Sequence, residues 1–136
     1  MDLPTTSRLR ITSDIDICRI IMGMWQVSGK HGFIDPELAI QSMFQHVDSG
    51  YTTWMLADIY GPAEDFIGAF RKQLAMTRSH ESLSKFHAFT KWVPDPGRVT
   101  RKLVLDSISK SCERMGMEVL DLLAFHWWDY KNKGYL

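Results

Sequence analysis

The stretch from Tyr51 to Leu74 constrains the fold more than any other part of the chain. Tyr51 to Met55 is aromatic and β-branched, the composition that strands prefer. Gly61 and Pro62 then supply a cap-like residue and a first helical position whose φ is already set. Glu64 and Asp65 follow in the first helical turn, where the helix dipole favours negative charge. Ala63, Ile67, Phe70 and Leu74 recur at spacings of four, three and four, which draws one apolar helical face. A strand, a tight turn and a helix in direct succession make a βα unit, and such units join by right-handed crossovers into parallel sheets.

The rest of the chain repeats the pattern. Met1 to Ser7 reads as a loose polar tail. Leu9 to Ile11 and Ile15 to Ile17 flank Thr12-Ser13-Asp14 as a hairpin. Cys18 to Trp25 reads as a strand, and the run Ile20-Ile21-Met22 predicts burial on both faces. Gly23 interrupts that run where a backbone or ligand could come close. After a glycine-containing loop, Asp35-Pro36 opens a helix as N-cap and first residue, and Gly50 stops it. Its face is Ala39, Ile40, Met43, Phe44 and Val47. Thr77 to Lys85 reads as a polar loop, Phe86 to Lys91 as a third strand, and Val93 to Gly97 as irregular. Thr100 caps a helix with Val104, Ile108, Cys112 and Met115 on one face, ended by Gly116. Val119 to Phe125 is the fourth strand. The expected fold is α/β, with an N-terminal hairpin, about four parallel strands and three helices.

Charge excludes one class of partner. Lysine plus arginine equals aspartate plus glutamate, 16 each, and no basic run appears, so a nucleic-acid surface is not expected. Eight methionines and five tryptophans suit a core more than a pocket. Cys18 and Cys112 lack ligand-like spacing and read as small buried hydrophobes in a reducing compartment. His31, His46, His80 and His87 also lack it, so no metal site is expected. No apolar run is long enough to span a membrane and Met1 to Arg10 has no signal-peptide core, which makes the cytoplasm the default expectation.

Chemistry-bearing residues fall at the C-terminal strand ends: Tyr60 just past the second strand, Lys91 at the end of the third, and His126 after the fourth. That edge is where α/β folds keep their sites. A phenol with pKa ~10 gives up its proton with difficulty at neutral pH, and a nearby ammonium favours the phenolate. Such a pair can protonate a carbonyl oxygen while hydride reaches the carbon, and a neutral histidine can orient the same oxygen.

The motifs Gly23-Met24-Trp25, Ala57-Asp58-Ile59-Tyr60-Gly61-Pro62-Ala63-Glu64, Thr90-Lys91-Trp92 and Leu120 to Trp127 stand in order, one after each strand. In these the chain resembles the aldo-keto reductases, NADP-dependent oxidoreductases, and above all the plant and algal members that carry TKWVP and FHWWD. The likeness covers roughly Leu9 to Leu136. It implies the N-terminal half of a TIM (β/α)8 barrel over residues 1–136, NADP(H) as cofactor, and reduction of an aldehyde or ketone. By the motif, Tyr60 is the general acid, Lys91 lowers its pKa and His126 orients the carbonyl. Gly23, Met24 and Trp25 would line the nicotinamide end. Of Trp127 and Trp128, one would wall the substrate pocket and the other would pack.

Two departures modify what the resemblance implies. The family motif carries an aspartate five residues before the tyrosine, where this chain has Met55, which offers Lys91 no charge. A full barrel takes about 250 residues and eight strands, and in the family the later loops hold most of the NADP phosphates and adenosine. The expectation is therefore that this chain alone is inactive, with its concave sheet face (Phe89, Leu122, Ala124) uncovered and one sheet edge open. The alternative is a non-catalytic fragment or paralogue that self-associates or pairs with a full-length relative.

Overall fold

The computed structural model describes residues 4–136. Of the expected polar tail, Met1–Leu3 lie outside the described residues, and Thr5–Ser7 form a 3-10 turn. Strands β1 (Arg8–Arg10) and β2 (Asp16–Cys18) make the expected hairpin, antiparallel, with Leu9 opposite Ile17. β3 (Met22–Gly23), β4 (Thr53–Met55), β5 (His87–Trp92) and β6 (Leu122–Phe125) form a parallel sheet in sequence order. Helices α1 (Pro36–Asp48), α2 (Ala63–Thr77), α3 (His80–Ser84) and α4 (Arg101–Met115) complete the chain.

Local chemistry explains most boundaries. The Asp35 carboxylate accepts from the Glu37 and Leu38 amides, with Pro36 behind it, so α1 starts where the sequence predicts. The Thr100 hydroxyl does the same for α4 through Leu103, and Gly116, at φ +61°, ends that helix in the left-handed region. At α2 the prediction is off by one residue: Pro62 is the N-cap and Ala63 the first helical residue. Two further expectations are corrected. Thr77 to Lys85 is not all loop, because the Ser79 hydroxyl caps α3 by accepting from Ser82. The first sheet strand is only Met22–Gly23, since Cys18 is taken up by the hairpin and Ile20 and Ile21 are 58% and 39% exposed.

The two faces of the sheet are covered by different partners and to different extents. Trp54, Leu56, Phe86 and Ala88 join Ile40 and Met43 of α1, Met115 of α4, and Ala63, Phe66, Ile67, Phe70 and Leu74 of α2 in the helix-side core. Phe70 bridges the layers, its ring 4.7 Å from Phe44 and 5.1 Å from Phe86. Alternation turns Thr53, His87, Phe89 and Lys91 to the other, concave side. The hairpin docks at the start of β4, with the Cys18 amide donating to the Thr53 hydroxyl on the concave side (2.9 Å) and Arg8 reaching the Thr52 hydroxyl beside it (3.1 Å). On that face Phe89 is 2% exposed, against the expectation of an uncovered face, while Leu122 and Ala124 are half-buried. β6 is an edge strand, as expected, and its Phe125 is exposed. Cys18 is buried and Cys112 only half-buried, both as free thiols.

Two features lock α2 against α4. Glu64, 1% exposed, accepts from the Thr90 hydroxyl (2.8 Å) and from Arg114 (3.3 Å). Gly68 meets the Arg114 carbonyl so closely that a Cβ there would overlap its oxygen. Gly68→Ala is expected to destabilise the fold by about 1–3 kcal/mol, the usual scale of overpacking against backbone. Urea unfolding measures it. A loss under about 0.5 kcal/mol, the level of an ordinary surface change, would show that the helices re-space freely.

Candidate active site

The site lies where the parallel strands deliver their C-terminal ends. Gly23, Met55, Phe89 and Leu122 stand in one row of the sheet, and Lys91 and Ala124 stand together further along. Pairing of β4 with β5 runs on past the regular strand. The Leu56 amide donates to the Phe89 carbonyl, the Lys91 amide to Leu56, and the Asp58 amide to Lys91, at 2.9, 3.1 and 2.9 Å. Only then does the chain turn, with the Tyr60 amide on the Ala57 carbonyl and the Ala63 amide on that of Tyr60. Gly61 sits at φ +52° with its α-carbon against the Ser28 backbone, where a side chain would overlap the Ser28 carbonyl oxygen. The turn that carries Tyr60 is thereby pressed onto the 3-10 turn Trp25–Val27.

The result is a small aromatic and cationic cluster. The Trp25 ring meets Tyr60 edge-on at 5.0 Å, and His31 meets Trp25 at 6.0 Å. Lys91 Nζ lies 4.7 Å from the centre of the Tyr60 ring. An ammonium over an aromatic face is held by the ring quadrupole, by about 0.5–2 kcal/mol. None of the ion pairs among the described residues includes Lys91. Met55 is half-buried beside Gly23 and Phe89 and offers no charge.

His126 lies just past β6, its amide donating to the Trp92 carbonyl (2.9 Å). Its ring stacks on Trp128 at 4.2 Å. Trp127 instead turns its indole N–H to the Asp129 and Asn132 carbonyls and packs against Phe125 and Tyr135. Of the residues proposed to face a cofactor, Gly23 opens on free space and Trp25 is exposed, but Met24 is 3% exposed and belongs to the helix-side core. The structure thus joins Trp25, Tyr60 and Lys91 directly and sets His126 at the end of the neighbouring strand.

Asp58 lies in the motif and is not expected to substitute for the missing aspartate; the structure gives it a different place. Its Oδ1 accepts from the Val93 amide (3.1 Å) while its own amide holds the Lys91 carbonyl. Burial pushes its carboxyl above the usual carboxylate range, with Glu64 adding to the rise and the Val93 bond and Arg114 opposing it. The signal available in the sequence was its place, two residues before Tyr60 in the same turn.

Among the described residues no three or more His, Cys, Asp or Glu side chains gather in a way that could hold a metal ion. No helix among them is long and apolar enough to cross a membrane.

Comparison with known proteins gives a consistent result. A sequence profile of the Aldo/keto reductase family matches residues 19–135. A Schizosaccharomyces pombe protein named as a candidate voltage-gated potassium channel subunit beta is 28% identical over 119 residues, which is 84% of this chain and 34% of that protein. L-glyceraldehyde 3-phosphate reductase of Escherichia coli K12 is 28% identical over 121 residues, again 84% of this chain and 34% of the enzyme. The chain therefore spans about a third of the length of these curated relatives. Among solved structures, a thermostable aldo-keto reductase in complex with the inhibitor epalrestat superposes with a TM-score of 0.69 at 22% identity, over 92% of this chain and 44% of that one. The Bombyx mori aldo-keto reductase solved with NADP gives 0.64 at 16% identity, over 85% of this chain and 36% of that one. These likenesses identify the hairpin and four-stranded sheet as part of a TIM barrel, as the sequence implied. With profile, relatives and fold in agreement over nearly the whole chain, this protein belongs to the aldo/keto reductase family.

Proposed function

We propose that this chain carries the acid side of a carbonyl-reduction site, in which Tyr60 is the general acid, Lys91 its charged neighbour and His126 the group that orients the carbonyl. The observation that carries the reading is the Lys91 ammonium 4.7 Å from the Tyr60 ring centre at the C-terminal edge of the sheet. In the reaction Tyr60 Oη gives its proton to the oxygen of an aldehyde or ketone as the carbon gains hydride, leaving an alcohol and a phenolate. The Lys91 ammonium stabilises that phenolate, because an opposite charge close by favours the ionised form. His126, at the end of the neighbouring strand, donates a hydrogen bond to the same oxygen. Trp128, stacked on His126 and exposed, forms the pocket wall.

NADP(H), when bound, supplies the hydride. The open space above Gly23 and the exposed face of Trp25 fit the nicotinamide end of such a cofactor, whereas buried Met24 does not take part. Support for this cofactor comes from the NADP held by the Bombyx mori neighbour. Met55 weakens the site, because Lys91 lacks the carboxylate that would hold its charge and direction.

This chain alone is expected not to oxidise NADPH with simple aldehydes, and measurable turnover by the purified protein would overturn that. Joined to the remaining strands of a related barrel, the protein with Met55→Asp is expected to gain up to about a hundredfold in carbonyl reduction, the lower end of general-acid effects. An unchanged rate would show that Met55 is tolerated. In the same protein Tyr60→Phe should lose the activity altogether.

The half-exposed β6 favours a second reading, in which this chain is a non-catalytic partner that pairs with its own kind or with a full-length relative. Sedimentation of the purified chain tests it: a clean monomer, without uptake of a full-length relative, removes that reading.

A further inference from the structure

We infer that Asp58 is a positioning residue, which clamps the exit of β5 so that Lys91 stays over the Tyr60 ring. The inference deepens the proposed function and rests on it for its catalytic meaning, but its geometry stands independently. Asp58 grips β5 on both sides of Trp92. Its amide donates to the Lys91 carbonyl at 2.9 Å, and its Oδ1 accepts from the Val93 amide at 3.1 Å. Past Val93 the chain leaves the sheet at Pro94, which has no amide proton to continue the ladder. On the side toward β6, the Trp92 carbonyl accepts from His126. The Asp58 carboxylate therefore acts as the last rung between β4 and β5, and one residue links the Lys91 segment to the turn that presents Tyr60.

The absent charge at position 55 increases the weight on this clamp. Among the described residues no carboxylate pairs with the Lys91 ammonium, so its placement there depends on the β5 backbone and on the attraction of the Tyr60 ring. Asp58 does not replace the missing acid as an ion-pair partner. It acts through the backbone, and what it needs for that is an acceptor oxygen, not a charge. Asparagine should therefore replace it and alanine should not.

The test is nuclear magnetic resonance on the chain with labelled lysine, which needs no turnover. A side chain held over an aromatic ring has its Lys91 ε-methylene protons shifted upfield, and Tyr60→Leu identifies that shift by removing it. In Asp58→Asn the shift is expected to persist. In Asp58→Ala it should fall to the value of an unstructured lysine. Amide exchange in the unmodified chain gives a reading without any variant: the Val93 amide should be protected about two- to tenfold over that of exposed Asp95, the effect of one ordinary hydrogen bond. A Val93 amide that exchanges like Asp95 overturns the proposal even if the alanine variant does not fold. An alanine variant that melts lower yet keeps the Lys91 shift assigns Asp58 a structural role only and overturns it too. So does an asparagine variant that loses the shift as fully as alanine. None of these results bears on whether Tyr60 is the acid, which the loss of turnover in Tyr60→Phe decides.

Discussion

A carboxylate sealed inside an apolar layer must be neutralised, and the arrangement around Glu64 follows from that requirement. Thr90 of β5 and Arg114 of α4 both donate to it, so the start of α2, the middle of the sheet and the end of α4 are fixed to one point. Glu64 lies four residues beyond Tyr60, and Thr90 directly precedes Lys91. Because neighbouring residues of a strand point to opposite faces, anchoring Thr90 on the helix side sets Lys91 toward the concave side and its mouth. The interaction is therefore tied to Lys91 through the adjacent Thr90 and to Tyr60 through the short turn that opens α2. The close contact of Gly68 with the Arg114 carbonyl holds the same two helices together one turn further on.

The concave side has its own logic. A parallel sheet is stable only when both faces are covered. Here the N-terminal hairpin bonds the start of β4 through Cys18 and Thr53, and Phe89, further along the same face, is buried. Cover thins toward β6, whose residues are half-buried or exposed. The sheet is thus well packed at β4 and β5, which carry Tyr60 and Lys91, and less so at the strand that leads to His126.

Much of this was legible from residues alone, and the exceptions share causes. Caps and stops at Asp35, Gly50, Thr100 and Gly116 were readable because each satisfies or frees a particular backbone group. The apolar face of α2 was readable from spacing, and Ala63, Ile67, Phe70 and Leu74 are all fully buried. The run Ile20-Ile21-Met22 misled, because a short apolar run does not reveal whether partners exist on both sides. α3 was hidden by its polarity, its start resting on a single serine hydroxyl. Glu64 looked like a helix-dipole residue, and nothing in its local sequence announces Arg114, 50 residues away. For the site, the strand ends fixed which side chains converge. That Lys91 lies over the ring face, and that Met24 turns into the core, depends on side-chain direction that the motif does not encode.

The contact between Gly61 and the Ser28 backbone has a consequence for how this mouth can diversify. Two loops that differ in origin, one leaving β3 and the other leaving β4, share a wall with no spare thickness. Neither can be lengthened, shifted or decorated without displacing the other. Variation that reshapes the Trp25 side to admit a bulkier guest would carry the phenol with it, whereas the His126 side has no such tether to Ser28 among the described residues. In the proposed carbonyl-reduction site, selectivity would then drift freely at the His126 rim and be mechanically coupled to Tyr60 at the other.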